Sequence, residues 1–189
     1  MYTMNQKLIQ KRQPLGNELQ LQLLISSQEI EERLERTARM LKNHYSIEEL
    51  IVAMILRGSF ILVGDFLRRT HLSIRLEAVQ AASCGEGSIV KGEQEVMDGD
   101  SLEIKGEHVF LVDDIFDIGE PPEELSRKIQ DKKPASFQSL VLLSKDVPHN
   151  TRYRPDISLF DIEDRFVVGY GLGYKEYYRG LPDIYSVEM

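Results

Sequence analysis

Cysteine is nearly absent from this sequence. Cys84 is the only one, which excludes an internal disulfide framework and any zinc site built on cysteine. Long apolar runs are missing as well, none approaching the roughly 20 residues that a membrane-crossing helix needs. The basic opening segment MYTMNQKLIQKRQPLG leads into no apolar core or small-residue cleavage site, so no secretory signal and a cytoplasmic address are expected. Basic charge is in deficit: 23 Lys and Arg stand against 31 Asp and Glu, a formal net charge of −8. A general nucleic-acid binder would show a basic footprint, and an anionic ligand would have to be met locally, by backbone dipoles, a few cations or a metal. The four histidines fall at no metal-ligand spacing, and there is no internal repeat or low-complexity tract.

What is present suits a single domain over residues 1–189, with 42% hydrophobic residues to build its core. Ser26 and Glu29 have the spacing of a capping box, and Ile30, Leu34, Ala38 and Leu41 then repeat along one face of a helix. Leu50–Leu56 is too short and too uniformly apolar for a surface helix and predicts a strand buried on both faces. Arg57-Gly58-Ser59 interrupts it, and FILVGDFLRR resumes with helical character, as at the start of a βα unit. Further strands are expected from Ser73, at His108–Val112 and from Phe137 to near Lys145, with a helix holding Leu125 and Ile129. The polar, glycine-rich stretch from Cys84 to Asp100 predicts a mobile loop, since long loops within compact domains are usually functional or disordered. The tail, with FVVGYG and IYSV, either finishes the sheet or builds a small lobe. The pattern predicts an α/β fold, a doubly wound, mainly parallel sheet with a small lobe formed by the chain ends. Ligands of such sheets sit beyond the carboxyl ends of the strands, which points to Arg57-Gly58, Asp113–Gly119 and Lys145.

The segment VDDIFDIGEPPEEL carries most of the chemistry. Asp113 and Asp114 are expected to leave an apolar strand, and Asp117 and Gly119 to follow before a helix begins. Carboxylates placed there can accept hydrogen bonds from sugar hydroxyls or hold hydrated Mg²⁺, and a glycine turn at a helix N-terminus offers free N–H groups to a phosphate. The same residues also suit a plain solvated strand exit and helix cap, with Glu120, Glu123 and Glu124 favoured by the helix dipole. Spacing alone leaves both readings open.

The segment resembles the phosphoribosyl-pyrophosphate loop of the type I phosphoribosyltransferases. FVVGYGLGYKEYYRGLP resembles the C-terminal signature of the hypoxanthine-guanine members of that family, LSKDVP their purine-reading segment and ILRGSF their pyrophosphate loop, all in the family's order. The resemblance implies transfer of the phosphoribosyl group from phosphoribosyl pyrophosphate to hypoxanthine or guanine, giving IMP or GMP. It implies that Asp113 and Asp114 hold the ribose hydroxyls and, through water, Mg²⁺, and that Asp117 exchanges a proton with purine N7. It further implies that Ile118, Gly119, Glu120 and Pro121 surround the 5′-phosphate, and that Arg57, Gly58 and Arg179 cradle pyrophosphate. Lys145 would donate to the purine 6-oxo group, Phe166 stack on the ring and the Val167 backbone read its edge, with Gly173 following at that end. Ser83 and Cys84 would belong to the mobile loop, and the family suggests a homodimer or homotetramer.

Several positions depart from the family's pattern. The phosphate loop lacks both its threonines, and Pro121 and Pro122 bring no N–H; the prolines suit a first helical turn instead. Gly173 stands where the family carries a metal-binding aspartate, and Cys84 where it carries a tyrosine. These departures leave a second reading beside the enzyme, a nucleotide-sensing relative that has kept the purine site and lost turnover. An RNA-binding regulator on the same fold is opposed by the net charge.

Overall fold

The computed structural model describes residues 19–45, 49–79, 102–117, 120–148 and 151–188, without the side chains of residues 120 and 121. The expected mobile loop, with Ser83 and Cys84, lies outside them. Strand β1 (Gln20–Ile25) leads into helix α1 (Ser27–His44), strand β2 (Leu50–Ile55), helix α2 (Phe60–Thr70) and strand β3 (Ile74–Val79). Strand β4 (His108–Phe116), helix α3 (Glu120–Asp131), strand β5 (Ser136–Lys145) and strand β6 (Ile157–Ile162) follow, and β7 (Val167–Val168) and β8 (Ile184–Glu188) end the chain.

The expected capping box opens α1. The Ser26 side chain accepts from the Glu29 backbone, and Glu29 Oε2 accepts from the Ser26 N–H at 2.9 Å, so two donors at the helix start are satisfied reciprocally. The apolar stripe of α1, Ile30, Leu34, Ala38 and Leu41, packs with Leu62, Val63 and Phe66 of α2 on Val52, Phe110, Val112 and Leu142 of the sheet. On the other face, Leu125 and Ile129 of α3 join Leu102 and Ile104 over Ile51, Ala53, Val109 and Leu111. Helices on both faces leave the central strands no polar side, which is why β2 and the stretches Val109–Val112 of β4 and Leu140–Leu143 of β5 are unbroken apolar runs.

The five-stranded sheet runs β3-β2-β4-β5-β6, every pairing parallel. After β2 the chain turns outward to β3, then returns past β2 to place β4 on its other side. The strand order therefore reverses between β2 and β4, and a crevice opens beyond their carboxyl ends. A second sheet of three strands, β1-β8-β7, joins the two chain ends antiparallel, with Gln20 opposite Glu188 and Val167 opposite Ser186. The tail thus does both things expected of it: β6 extends the main sheet, and β7 and β8 build the lobe.

One boundary differs from the sequence expectation. Asp113 and Asp114 do not leave the strand; β4 continues through them to Phe116, with Asp113 opposite Val141 and Phe116 opposite Ser144 of β5. Acidic residues are poor strand formers, but here the long partner β5 supplies the ladder, and the carboxylates become rigid parts of the sheet's end.

Candidate active site

The crevice is built from three stretches of backbone. Beyond β2 the Leu56–Arg57 peptide is cis, and Gly58 then passes so close to β4 that a Cβ on it would lie 1.4 Å from Asp114 Oδ2. Ser59, buried, donates its hydroxyl back to Ile55 O. From the lobe, Gly171 (φ +99) brings its backbone onto the same loop, where a Cβ would meet Gly58 O at 2.1 Å. Both glycines are required by close approach, and Gly171 by its left-handed backbone as well.

Asp113 Oδ1 accepts from the Asp114 N–H at 2.8 Å and Asp114 Oδ1 from the Ile115 N–H at 2.9 Å. The two side chains keep part of their surface open, yet surrounding protein pushes both pKa values up, that of Asp113 well above the ordinary carboxylate range. The neighbouring negative charge adds to the rise for Asp113, whereas backbone hydrogen bonds and the Arg179 charge oppose it for Asp114. Two such carboxylates side by side favour any cation or hydroxyl donor that enters.

Past β4, Asp117 meets the end of β5. Lys145 Nζ donates to Asp117 Oδ2 at 2.9 Å and to Asp164 Oδ1 at 3.0 Å. The lysine side chain is only 11% exposed; burial pulls its pKa down, but the two carboxylates outweigh that and hold it above the usual lysine value. An ammonium with two of its three hydrogens used keeps one for a ligand.

The lobe contributes the third part. Arg179 Nη1 donates to Gly171 O at 2.7 Å, and Nη2 to Glu176 Oε2 at 3.2 Å. The same Glu176 oxygen accepts from Arg57 Nη1 at 2.9 Å, so one carboxylate bridges the lobe and the loop after β2. A Cβ on Gly173 would lie 2.8 Å from Arg179 Cζ; the guanidinium is layered on a bare backbone. Phe166, partly exposed, meets Tyr174 edge-on at 5.5 Å, and Val167 is buried in the β7–β8 ladder.

The family model described as phosphoribosyl transferase domain matches residues 24–175. The hypoxanthine-guanine phosphoribosyltransferase of Aquifex aeolicus is 34% identical over 169 residues, covering 89% of this chain and 95% of the relative. The hypoxanthine phosphoribosyltransferase of Haemophilus influenzae is 31% identical, covering 88% and 95%. A crystal structure of a hypoxanthine-guanine phosphoribosyltransferase from Bacillus anthracis superimposes with a TM-score of 0.78 at 28% identity, covering 91% of this chain and all of the other. The chain belongs to the hypoxanthine-guanine phosphoribosyltransferase family.

Within that phosphoribosyltransferase frame, the crevice brings together Arg57, Gly58, Asp114 and Arg179. Asp117 and Lys145 form a second cluster at the ends of β4 and β5. Ile118 and Gly119 lie outside the described residues. Helix α3 starts at Glu120, so Pro121 and Pro122 occupy its first turn, where a missing N–H removes no intrahelical bond. Sequence reasoning missed Asp164 as a partner of Lys145, although it stands two residues before Phe166. Nor did it foresee that Arg57 joins Arg179 at Glu176, which sits inside the tight turn between Tyr174 and Tyr177. Among the described residues no group of three or more His, Cys, Asp or Glu side chains could enclose a metal. The oxygen-only pair Asp113–Asp114 fits Mg²⁺ only as a partial ligand set, completed by water and substrate oxygens.

Proposed function

We propose that this phosphoribosyltransferase joins hypoxanthine or guanine to phosphoribosyl pyrophosphate, forming IMP or GMP and releasing pyrophosphate in purine salvage. One observation carries the reading: the acidic end of β4 lies at the reversal of strand order, between the Arg57–Arg179 pair and Lys145. A sugar phosphate with anions on both sides, joined to a base carrying a 6-oxo group, matches that sequence of charges. The similarity to enzymes named for this reaction along nearly their whole length favours turnover over a purely sensing role.

In this reading Asp113 and Asp114 accept from the ribose hydroxyls, and two adjacent carboxylates favour hydroxyl donors and cations at that point. The same pair would hold Mg²⁺ through water, and the metal would supply positive charge to balance the departing pyrophosphate. The residues from Ile118 to Pro121 receive the 5′-phosphate at the N-terminus of α3, where backbone N–H groups and the helix dipole favour an anion. Lys145 donates to the 6-oxo group, Phe166 lies against the ring and the Val167 backbone meets its edge beside Gly173. Asp117, turned from Lys145 towards purine N7, takes the proton that the base loses as its bond to the sugar forms. Arg57, the Gly58 backbone and Arg179 hold the pyrophosphate. The phosphorylated substrates suit a cytoplasmic setting. The test is formation of IMP and GMP from phosphoribosyl pyrophosphate, Mg²⁺ and each base. No product with either base would overturn the assignment.

A further inference from the structure

The pyrophosphate cradle already contains an anion of its own. Glu176 Oε2 lies 2.9 Å from Arg57 Nη1, 119 positions away in the chain, and 3.2 Å from Arg179 Nη2. The two arginines hold its carboxyl below the usual carboxylate range, Arg179 most strongly. The arginines carry other marks of an incomplete partnership. Arg179 Nε is buried with no hydrogen-bond partner among the described residues, and the Arg57 side chain is 54% exposed.

The backbone that presents Glu176 is unusual. Tyr174 and Tyr177 exchange two backbone hydrogen bonds, at 3.1 and 2.9 Å, around Lys175 (φ 47) and Glu176 (φ 67). A two-residue hairpin with both central residues left-handed normally carries Asn-Gly. Lys-Glu is a strained choice there, and such strain gathers where a side chain must be held in one place. Here the side chain so placed is the carboxylate between the two cations.

We propose that Glu176 is the resident counter-ion of the pyrophosphate cradle: it holds Arg57 and Arg179 together until pyrophosphate takes them, and it reclaims them as pyrophosphate leaves. The inference rests on the assignment of Arg57 and Arg179 to pyrophosphate. Glu176 is a positioning residue, touching the arginines and not the reacting atoms. Its exchange keeps two like charges close without an external anion and weakens the grip on the product. With 64% of its side chain exposed, it can swing into solvent without unfolding the lobe.

The experiment is titration with magnesium pyrophosphate, at low and high ionic strength, of wild type and the variants Glu176→Gln, Arg57→Gln, Arg179→Gln and Asp131→Asn. Glu176→Gln is expected to bind about three- to tenfold more tightly at low salt, with the gain shrinking as salt rises. In steady state its KM for phosphoribosyl pyrophosphate and its kcat should fall together, because release slows. Asp131→Asn removes the same charge at the far end of α3 and should leave affinity unchanged; an equal gain there would reduce the effect to bulk charge and overturn the proposal. Unchanged or weaker binding by Glu176→Gln, while the arginine variants lose affinity, would overturn it and leave the cradle standing. Wild-type binding by both arginine variants would overturn the cradle itself. If Arg179→Gln fails to fold, the exposed Arg57 carries that arm.

Discussion

Gly58 lies so close to Asp114 that a Cβ on the glycine would fall 1.4 Å from Asp114 Oδ2. The loop after β2 and the carboxylate at the end of β4 thus share one contact. Gly58→Ala must push the carboxylate aside, since the glycine backbone is itself held by Gly171 of the lobe. The expected result is a loss of about 10²-fold in kcat/KM for phosphoribosyl pyrophosphate, the scale for displacing a positioning group by an ångström. Steady-state kinetics with the folded variant checks it, and wild-type kinetics would remove the contact from function.

Asp117 and Lys145 make the second prediction. Asp117→Asn keeps a hydrogen-bonding side chain beside Lys145 but removes the proton acceptor. It should lower kcat by roughly 10²–10⁴-fold, with GMP affinity falling far less. Turnover at the wild-type rate would exclude Asp117 as the base.

Lys145 also predicts what the enzyme refuses. An ammonium already committed to Asp117 and Asp164 presents only a donor to the purine, and the 6-amino group of adenine is a donor too. AMP formation is expected to be slower than IMP formation by about 10⁴-fold. Comparable rates for adenine and hypoxanthine would overturn the orientation of the base.

The same lysine sets a pH dependence of stability. Its folded-state pKa is raised, so the contribution of its ion pairs is fully present below the unfolded lysine value and is lost as pH rises through the folded value. The difference in melting midpoint between wild type and Lys145→Gln should therefore be flat from about pH 6 to 9 and shrink only above about 10.4, the ordinary lysine value. A difference that shrank between pH 6 and 9 would contradict the raised pKa.

Local signals in the sequence located most of the elements. The Ser26–Glu29 box, the apolar run of β2 and the Arg57-Gly58 break all act over a few residues, and each appears where its chemistry places it. Strand β1 was not legible, because QLQLLI is broken by two glutamines and acquires its partner, β8, only from the opposite end of the chain. The extension of β4 through Asp113 and Asp114 depends on β5, which no property of the acidic pair announces. Asp164 and Glu176 fail to stand out for the same reason. Each is an ordinary surface acid until the fold aligns it with Lys145, or with Arg57 and Arg179.

Gly173 offers the sharpest test of how Arg179 is held. A Cβ at that position would lie 2.8 Å from Arg179 Cζ and 2.9 Å from Nε, so no side chain can stand there with the arginine where it is. The obstacle is the far end of a flexible side chain, which moves at small cost to the fold. Gly173→Ala should therefore leave the melting midpoint within a few degrees of wild type, as surface changes of about ±0.5 kcal/mol do. It should also displace the guanidinium from Gly171 O and from Glu176. Losing those anchors costs the cradle its preorganisation, and pyrophosphate affinity is expected to fall by about tenfold, equivalent to roughly 1.4 kcal/mol. Gly173→Asp adds a carboxylate to the same displacement. Without Mg²⁺ it should weaken pyrophosphate further by repulsion; with Mg²⁺, whose preferred ligands are carboxylate and water, part of the loss should return. The measurement is pyrophosphate titration of wild type, Gly173→Ala and Gly173→Asp with and without Mg²⁺. If Gly173→Ala binds as wild type does, the layering of Arg179 on the bare backbone has no part in holding the anion, and the absence of a side chain at position 173 serves packing alone.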